Sequence, residues 1–241
     1  MQKILCEDYE EISRVAADIV ERSLSEKPDS VLGLATGSTP LGLYSNLIER
    51  YEEGKIDFSR AKSFNLDEYY PIKRDHPQSY NYYMYENLFS KVNFASTRVP
   101  DGETEDPAAE CARYDAQIEA AGGIDLQILG IGLNGHIGFN EPAAAYSMPT
   151  YMVKLTQSTI DANSRFFKEG EAPPASALTM GFGAIFSARH ILLLISGAAK
   201  APVAKKLFEG KIHTDVPASL LLLHNNTTVL IDKEAAEAAA G

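Results

Sequence analysis

Short, wholly apolar runs alternate with longer amphipathic stretches along this chain, and that alternation restricts the fold more than any other feature. A strand covered by helices on both faces needs no polar side, so it reads as a continuous hydrophobic run. Such strands, interleaved with helical patterns, build βαβ units whose strands lie parallel. The pattern predicts strands over residues 30–35, 61–66, 125–131, 151–155, 190–195 and 227–231, all buried on both faces. Helices are predicted over residues 8–25, 40–53, 79–88, 106–121, 156–167, 198–209 and 217–222. With 241 residues, 45% of them hydrophobic, the chain can bury one large core, so a single α/β domain over 1–241 is expected. The closing KEAAEAAAG, residues 233–241, is low in complexity and is expected to be a tail.

Charge narrows the partners. The chain carries 33 acidic and 22 basic residues, net −11, with no basic cluster of the kind that neutralises a nucleic-acid backbone. An anionic ligand would meet an opposing global field, so its site must supply local positive charge from arginine, lysine or helix N-termini. Cys6 and Cys111 lie far apart in no metal-binding or redox spacing, which suits free thiols in a reducing cytoplasm. No apolar run reaches membrane-spanning length, and neither a signal peptide nor a membrane partner is expected.

In open parallel sheets ligands bind beyond the carboxyl ends of the strands, so the loops there are where chemistry is expected. Four are unusual. ATGSTP, residues 35–40, runs a strand into a turn of small residues before a helix, with Pro40 at the expected first helical position. Its backbone N–H groups around Gly37, Ser38 and Thr39 can hold a phosphate, although a plain capped helix start reads the same way. FNLDEYY, residues 64–70, delivers Asp67 and Glu68 at a strand end beside aromatics; a carboxylate kept dry there becomes a stronger base. The tyrosines of SYNYYMYENLF just beyond read as packing residues. GIGLNGHIGFNEP, residues 130–142, begins with GxGxxG but lacks the helix and the later acid of a dinucleotide site. Its glycines instead allow a sharp turn that presents His136 and Glu141, an imidazole that can give and take a proton beside a carboxylate that can orient it. Lastly, Arg165 and Lys200 are candidate anion binders, the second opening a helix after a strand.

Taken in order, ATGSTP, FNLDEYYP, HPQSY, GIGLNGHIGFNEP, ANSRFF and SGAAKA resemble the glucosamine-6-phosphate deaminase (isomerizing) family over nearly the whole chain. The resemblance implies a Rossmann-like, mostly parallel sheet with helices on both faces, and an enzyme without metal, nucleotide or other cofactor. It implies conversion of glucosamine 6-phosphate to fructose 6-phosphate and ammonia, with Asp67 moving a proton between C2 and C1. His136 would open the sugar ring with Glu141 supporting the imidazole, while Gly37, Ser38, Thr39, Arg165 and Lys200 would hold the phosphate. Some members of that family carry aspartate where this chain has Asn134; the amide can hydrogen-bond the ring but adds no charge, so a relay of His136 with Glu141 alone is expected. The short end after the last strand implies a monomer or small homo-oligomer without allostery, and the resemblance implies a mobile lid over residues 156–174. The rival readings are a 6-phosphogluconolactonase-like hydrolase and a non-catalytic sugar-phosphate sensor.

Overall fold

The computed structural model describes residues 1–157, 159, 160, 167 and 171–240. Among them, seven strands form one parallel sheet: β1 (Gln2–Cys6), β2 (Val31–Leu34), β3 (Lys62–Asn65), β5 (Ser96–Arg98), β6 (Leu126–Gly130), β9 (His190–Ile195) and β10 (Thr227–Asp232). They lie in the order β1-β10-β9-β6-β2-β3-β5, with every neighbouring pair parallel. The three strands β4 (Asp67–Tyr70), β7 (Tyr151–Lys154) and β8 (Ser176–Thr179) form a small antiparallel sheet ordered β4-β8-β7.

The large sheet carries a separate hydrophobic cluster on each face. One packs Val31, Phe64, Leu129, Leu193, Ile195 and Val229; the other packs Leu32, Leu34, Ile128, Leu192, Leu194 and Leu230. Alternate residues of the same strands feed opposite cores, so nearly every position must be apolar. The helices around these cores are α1 (Tyr9–Glu26), α2 (Leu41–Glu52), α3 (Tyr80–Met84), α4 (Pro107–Ala120), α5 (Phe182–Ser187), α6 (Ala201–Phe208) and α7 (Lys233–Ala240). Asp8, Ser79 and Asp106 cap α1, α3 and α4 through side-chain oxygens that accept helix N–H groups. None of the described helices is long and apolar enough to cross a membrane.

Several sequence expectations need correction. Residues 151–155 do form a strand, but β7 lies in the small sheet, and its alternating half-buried and exposed residues show that only one face is covered. The strands β1, β4, β5 and β8 escape a search for apolar runs because they are short or carry polar residues. Residues 79–88 divide into α3 and one π-helical turn, Tyr85–Phe89. Pro40 is the cap of α2 rather than its first residue. Lys233–Ala240 is helical, with its first turn held by Asp232 Oδ1 accepting from Ala235 N at 2.8 Å, and Ala235 is fully buried. Most of the helix expected over 156–167, and Arg165 with it, lies outside the described residues.

Candidate active site

A cleft of 520 Å³ opens at the carboxyl edge of the large sheet, lined by the turn 35–39, by Asp67 and Tyr80, by the loop 130–139, and by Thr159 and Lys200. Its size suits a phosphorylated monosaccharide.

Three tyrosines shape the first wall. Tyr44 donates its hydroxyl hydrogen to the Ala35 carbonyl at 2.5 Å, Tyr83 to the Gly37 carbonyl at 2.6 Å and Tyr9 to the Ser38 carbonyl at 3.0 Å. Gly37 sits at φ +96°, in the left-handed region that favours glycine. With the carbonyls tied back, the N–H groups of Gly37, Ser38 and Thr39 donate to no protein acceptor among the described residues. They form a cluster of donors just ahead of α2, the arrangement that binds anions. Lys200, at the end of the short 3-10 turn Ala198–Lys200 before α6, lines the same cleft. Its ammonium donates to the Ile131 carbonyl at 2.6 Å, and burial lowers its pKa below the ordinary lysine value. Sequence reading missed the three tyrosines: their hydroxyl partners lie 9 to 46 positions away in the chain, and no local pattern carries that information.

Asp67 stands where the chain leaves one sheet for the other. Leu66 completes the pairing to β2 through its N–H on the Leu34 carbonyl and also accepts the Met180 N–H; the next residue starts β4, opposite Thr179. Asp67 is 6% exposed and, among the described residues, no donor reaches its carboxylate. Burial, helped by the neighbouring charge of Glu68, pushes it up to about 8. Glu68 points to the other side of the strand and accepts backbone N–H groups from Tyr69, Tyr80 and Asn81 at 2.8 to 2.9 Å, fastening the start of α3. Burial raises its pKa as well, against the lowering effect of those three bonds.

The loop after β6 is built for close approach. A Cβ on Gly132 would fall 2.2 Å from the His136 ring, and one on Gly138, at φ +57°, would fall 3.3 Å from Asp67 Oδ2. A side chain at Gly132 would displace the imidazole, and one at Gly138 would be strained by the left-handed backbone and would crowd Thr179 Oγ1 and Asp67. Asn140, fully buried, holds the loop by donating to the carbonyls of Ile137 and Met180. Within the loop, Asn134 Oδ1 lies 2.7 Å from His136 Nδ1, while Asn134 Nδ2 donates to Glu141 Oε2 at 2.5 Å. His136 Nδ1 and Glu141 Oε1 are 3.6 Å apart, too far for a hydrogen bond. The hydrogen bonds therefore run His136–Asn134–Glu141, with the Asn134 amide between ring and acid and the carboxylate also close to the imidazole. An ionised carboxylate only accepts, so the Asn134 amide must turn its NH₂ toward Glu141 and its oxygen toward the ring. That fixes the hydrogen of the neutral imidazole on Nδ1 and leaves Nε2 as the basic nitrogen. Burial works to raise the Glu141 pKa, but the His136 imidazole, the Thr159 hydroxyl and the Asn134 amide together hold it down at about 2.

Of the residues singled out from sequence, Gly37, Ser38, Thr39, Asp67, Asn134, His136 and Lys200 line one cleft, and Glu141 touches it through Asn134. Arg165 lies outside the described residues. Tyr80 and Thr159 join them unexpectedly. Among the described residues, a buried carboxylate without donors, an imidazole hydrogen-bonded to an amide and a turn with free backbone donors lie together at the edge of a parallel sheet, groups able to carry out acid–base chemistry on a small anionic ligand. A family model described as glucosamine-6-phosphate isomerases/6-phosphogluconolactonase matches residues 8–230. The glucosamine-6-phosphate deaminase of Thermoanaerobacter sp. (strain X514) is 53% identical over 238 residues, covering 98% of this chain and 94% of that protein. The glucosamine-6-phosphate deaminase of Clostridium botulinum (strain Hall) is 49% identical, covering 98% of each. A solved structure of a monomeric glucosamine-6-phosphate deaminase superposes with a TM-score of 0.94 at 45% identity, over 99% of this chain and all of the other. The 6-phosphogluconolactonase of Thermotoga maritima shares the fold at TM-score 0.75 and 24% identity, covering 96% and 99%. The chain belongs to the glucosamine-6-phosphate isomerase/6-phosphogluconolactonase family.

Proposed function

We propose that this chain converts glucosamine 6-phosphate to fructose 6-phosphate and ammonia, acting as a single domain without a cofactor. The carrying observation is that Asp67, short of donors, and the donor-bound His136 relay share one cleft with an anion-binding turn. The N–H groups of Gly37, Ser38 and Thr39 hold the phosphate together with Lys200, and Arg165 is assigned as a further cation on it. His136 Nε2 takes the proton of the anomeric hydroxyl and returns it to the ring oxygen as the C1–O5 bond breaks. Asp67 then takes the C2 proton and delivers it to C1 while a proton passes from the C2 ammonium to O1, which turns the aldehyde into a primary alcohol and the C2 amine into an iminium. Water adds at C2, and ammonia leaves as the ketone forms.

Phosphate binding far from C2 can fix the reacting geometry, and each acid–base step contributes about 10² to 10⁴ in rate. A carboxylate near pKa 8 is matched to this work, being strongly basic yet ionised at mildly alkaline pH. Because only the ionised form accepts the C2 proton, kcat/KM falls as pH drops below that value. The deciding measurement is ammonia release from glucosamine 6-phosphate, with galactosamine 6-phosphate and 6-phosphogluconolactone run alongside. Release from neither amino sugar, or turnover of the lactone alone, would overturn the reading. A monomer in light scattering, unchanged by N-acetylglucosamine 6-phosphate, is the expected assembly; a hexamer with sigmoidal kinetics would contradict it.

A further inference from the structure

Thr159 was not among the residues the sequence pointed to, yet its hydroxyl reaches the relay. It donates to Glu141 Oε1 at 2.7 Å, and Oε1 is the carboxylate oxygen that stands 3.6 Å from His136 Nδ1. The other oxygen, Oε2, is taken by the Asn134 amide. Thr159 and His136 therefore face the same acceptor, and Thr159 has it.

The hydroxyl is held in that position from two sides. Thr159 N–H donates to Thr156 Oγ1 at 3.3 Å, Ile160 N–H donates to the Thr156 carbonyl at 3.0 Å, and the two threonine hydroxyls are 3.0 Å apart. Since the one hydroxyl hydrogen of Thr159 goes to a carboxylate, the hydrogen between the two threonines comes from Thr156. Ile160 packs into the cluster of Tyr69, Phe139 and Leu155 that backs the small sheet. Every side-chain-to-side-chain hydrogen bond in the series Thr156, Thr159, Glu141, Asn134, His136 then points toward the Glu141 charge.

We propose that Thr159 is a positioning residue that holds Glu141 Oε1 back from His136 Nδ1, so that the imidazole hydrogen-bonds the neutral Asn134 amide and meets the carboxylate charge only across the 3.6 Å gap. The titratable groups facing this assembly are Asp67 from β4, Tyr80 from α3 and Lys200 from the turn before α6, all lining the cleft, with Tyr151 of β7 beside Glu141. None of them hydrogen-bonds the relay atoms among the described residues. Without the Thr159 hydroxyl, Oε1 loses its donor and closes on Nδ1–H. A direct carboxylate stabilises the charged ring, and the imidazole holds its proton to higher pH. Ring opening needs the unprotonated Nε2, so Thr159 keeps that step running at lower pH.

The kinetic part of this inference rests on the deaminase reading; the structural part does not. The test compares the parent with Thr159→Val, Thr159→Ala and Thr159→Ser. His136 ring nitrogens are followed by ¹⁵N NMR across pH in the substrate-free proteins. The Val and Ala variants are expected to titrate at higher pH, by about tenfold in proton affinity, which corresponds to one pKa unit, and Ser is expected to match the parent. Ring opening is read separately, as exchange between the anomers of glucosamine 6-phosphate in the Asp67→Asn background. Its acidic limb is expected to move up by the same amount in Val and Ala and to return with Ser. An unmoved ring titration in both Val and Ala, or a shift that Ser does not reverse, would overturn the assignment. If the ring titration moves as expected but the parent releases no ammonia, the functional reading fails and the positioning role stands.

Discussion

Asp67 and Glu141 are two carboxylates at one cleft, and their surroundings drive them in opposite directions. Asp67 begins a buried strand, has no hydrogen-bond donor among the described residues, and sits beside the charge of Glu68; its pKa rises to about 8. Glu141 ends a loop that surrounds it with an amide, a hydroxyl and an imidazole, and despite burial its pKa falls to about 2. The contrast shows that burial alone does not decide a carboxyl's proton affinity: burial is opposed by the donors and positive charge offered to the ionised form, and in Glu68 burial outweighs three backbone donors. In the proposed reaction the first acid is basic enough to lift a proton from carbon, while the second stays charged and orients the imidazole through Asn134.

The largest test of that contrast is removal of the basic member. Asp67→Asn keeps the shape but cannot accept the C2 proton, and kcat is expected to fall by about 10⁴ with sugar-phosphate binding retained, measured by ammonia release and by calorimetric titration. Near-parental turnover would remove Asp67 from the chemistry. Next in size, Glu141→Gln ends the charge that aligns the relay and leaves both tautomers of His136 open. Its kcat should drop by about 10², and the anomer exchange rate should drop with it; an intact exchange rate would separate Glu141 from ring opening.

A smaller effect should follow from Asn134→Asp. It replaces the NH₂ that serves Glu141 Oε2 with a second carboxylate, so two acids compete for one ring and share a proton more readily. A loss of about tenfold in kcat at neutral pH is expected, with a changed pH profile; a superimposable profile would mean that the amide is dispensable.

The smallest effect concerns stability and has the opposite sign. The pKa of Asp67 is raised in the folded state, so from the ordinary carboxylate range up to about 8 the folded protein binds more protons than the unfolded chain, and stability falls as pH rises. Asp67→Asn escapes that penalty. Thermal unfolding should show no gain at pH 4 and a gain of about 2 kcal/mol above pH 8, the size typical when a functional group held at a cost is replaced.

Much of this was legible from the residues, and the pattern of what was missed has a cause. Buried strands such as β9 and β10 stand out because both faces are covered, so composition reveals them. The strands β4 and β8 do not, because they are only four residues long and, although buried on both faces, include polar residues such as Asp67, Glu68 and Thr179. Asp67, His136, Glu141 and Lys200 could be named because strand ends and glycine-rich turns have local signatures. Tyr9, Tyr44, Tyr83 and Thr159 could not, because each acts through a hydroxyl on a partner 9 to 46 positions distant in the chain.

The order of side chains along the chain was enough to set a parallel sheet with two cores, the edge at which ligands gather, and the kinds of group found there. Folding alone decided that Asp67 is kept without donors while Glu141 is surrounded by them, and that Asn134 stands between acid and ring. The physical reason is that proton affinity depends on solvent exclusion and on donors within about 3 Å, and those are properties of packed neighbours rather than of residue order.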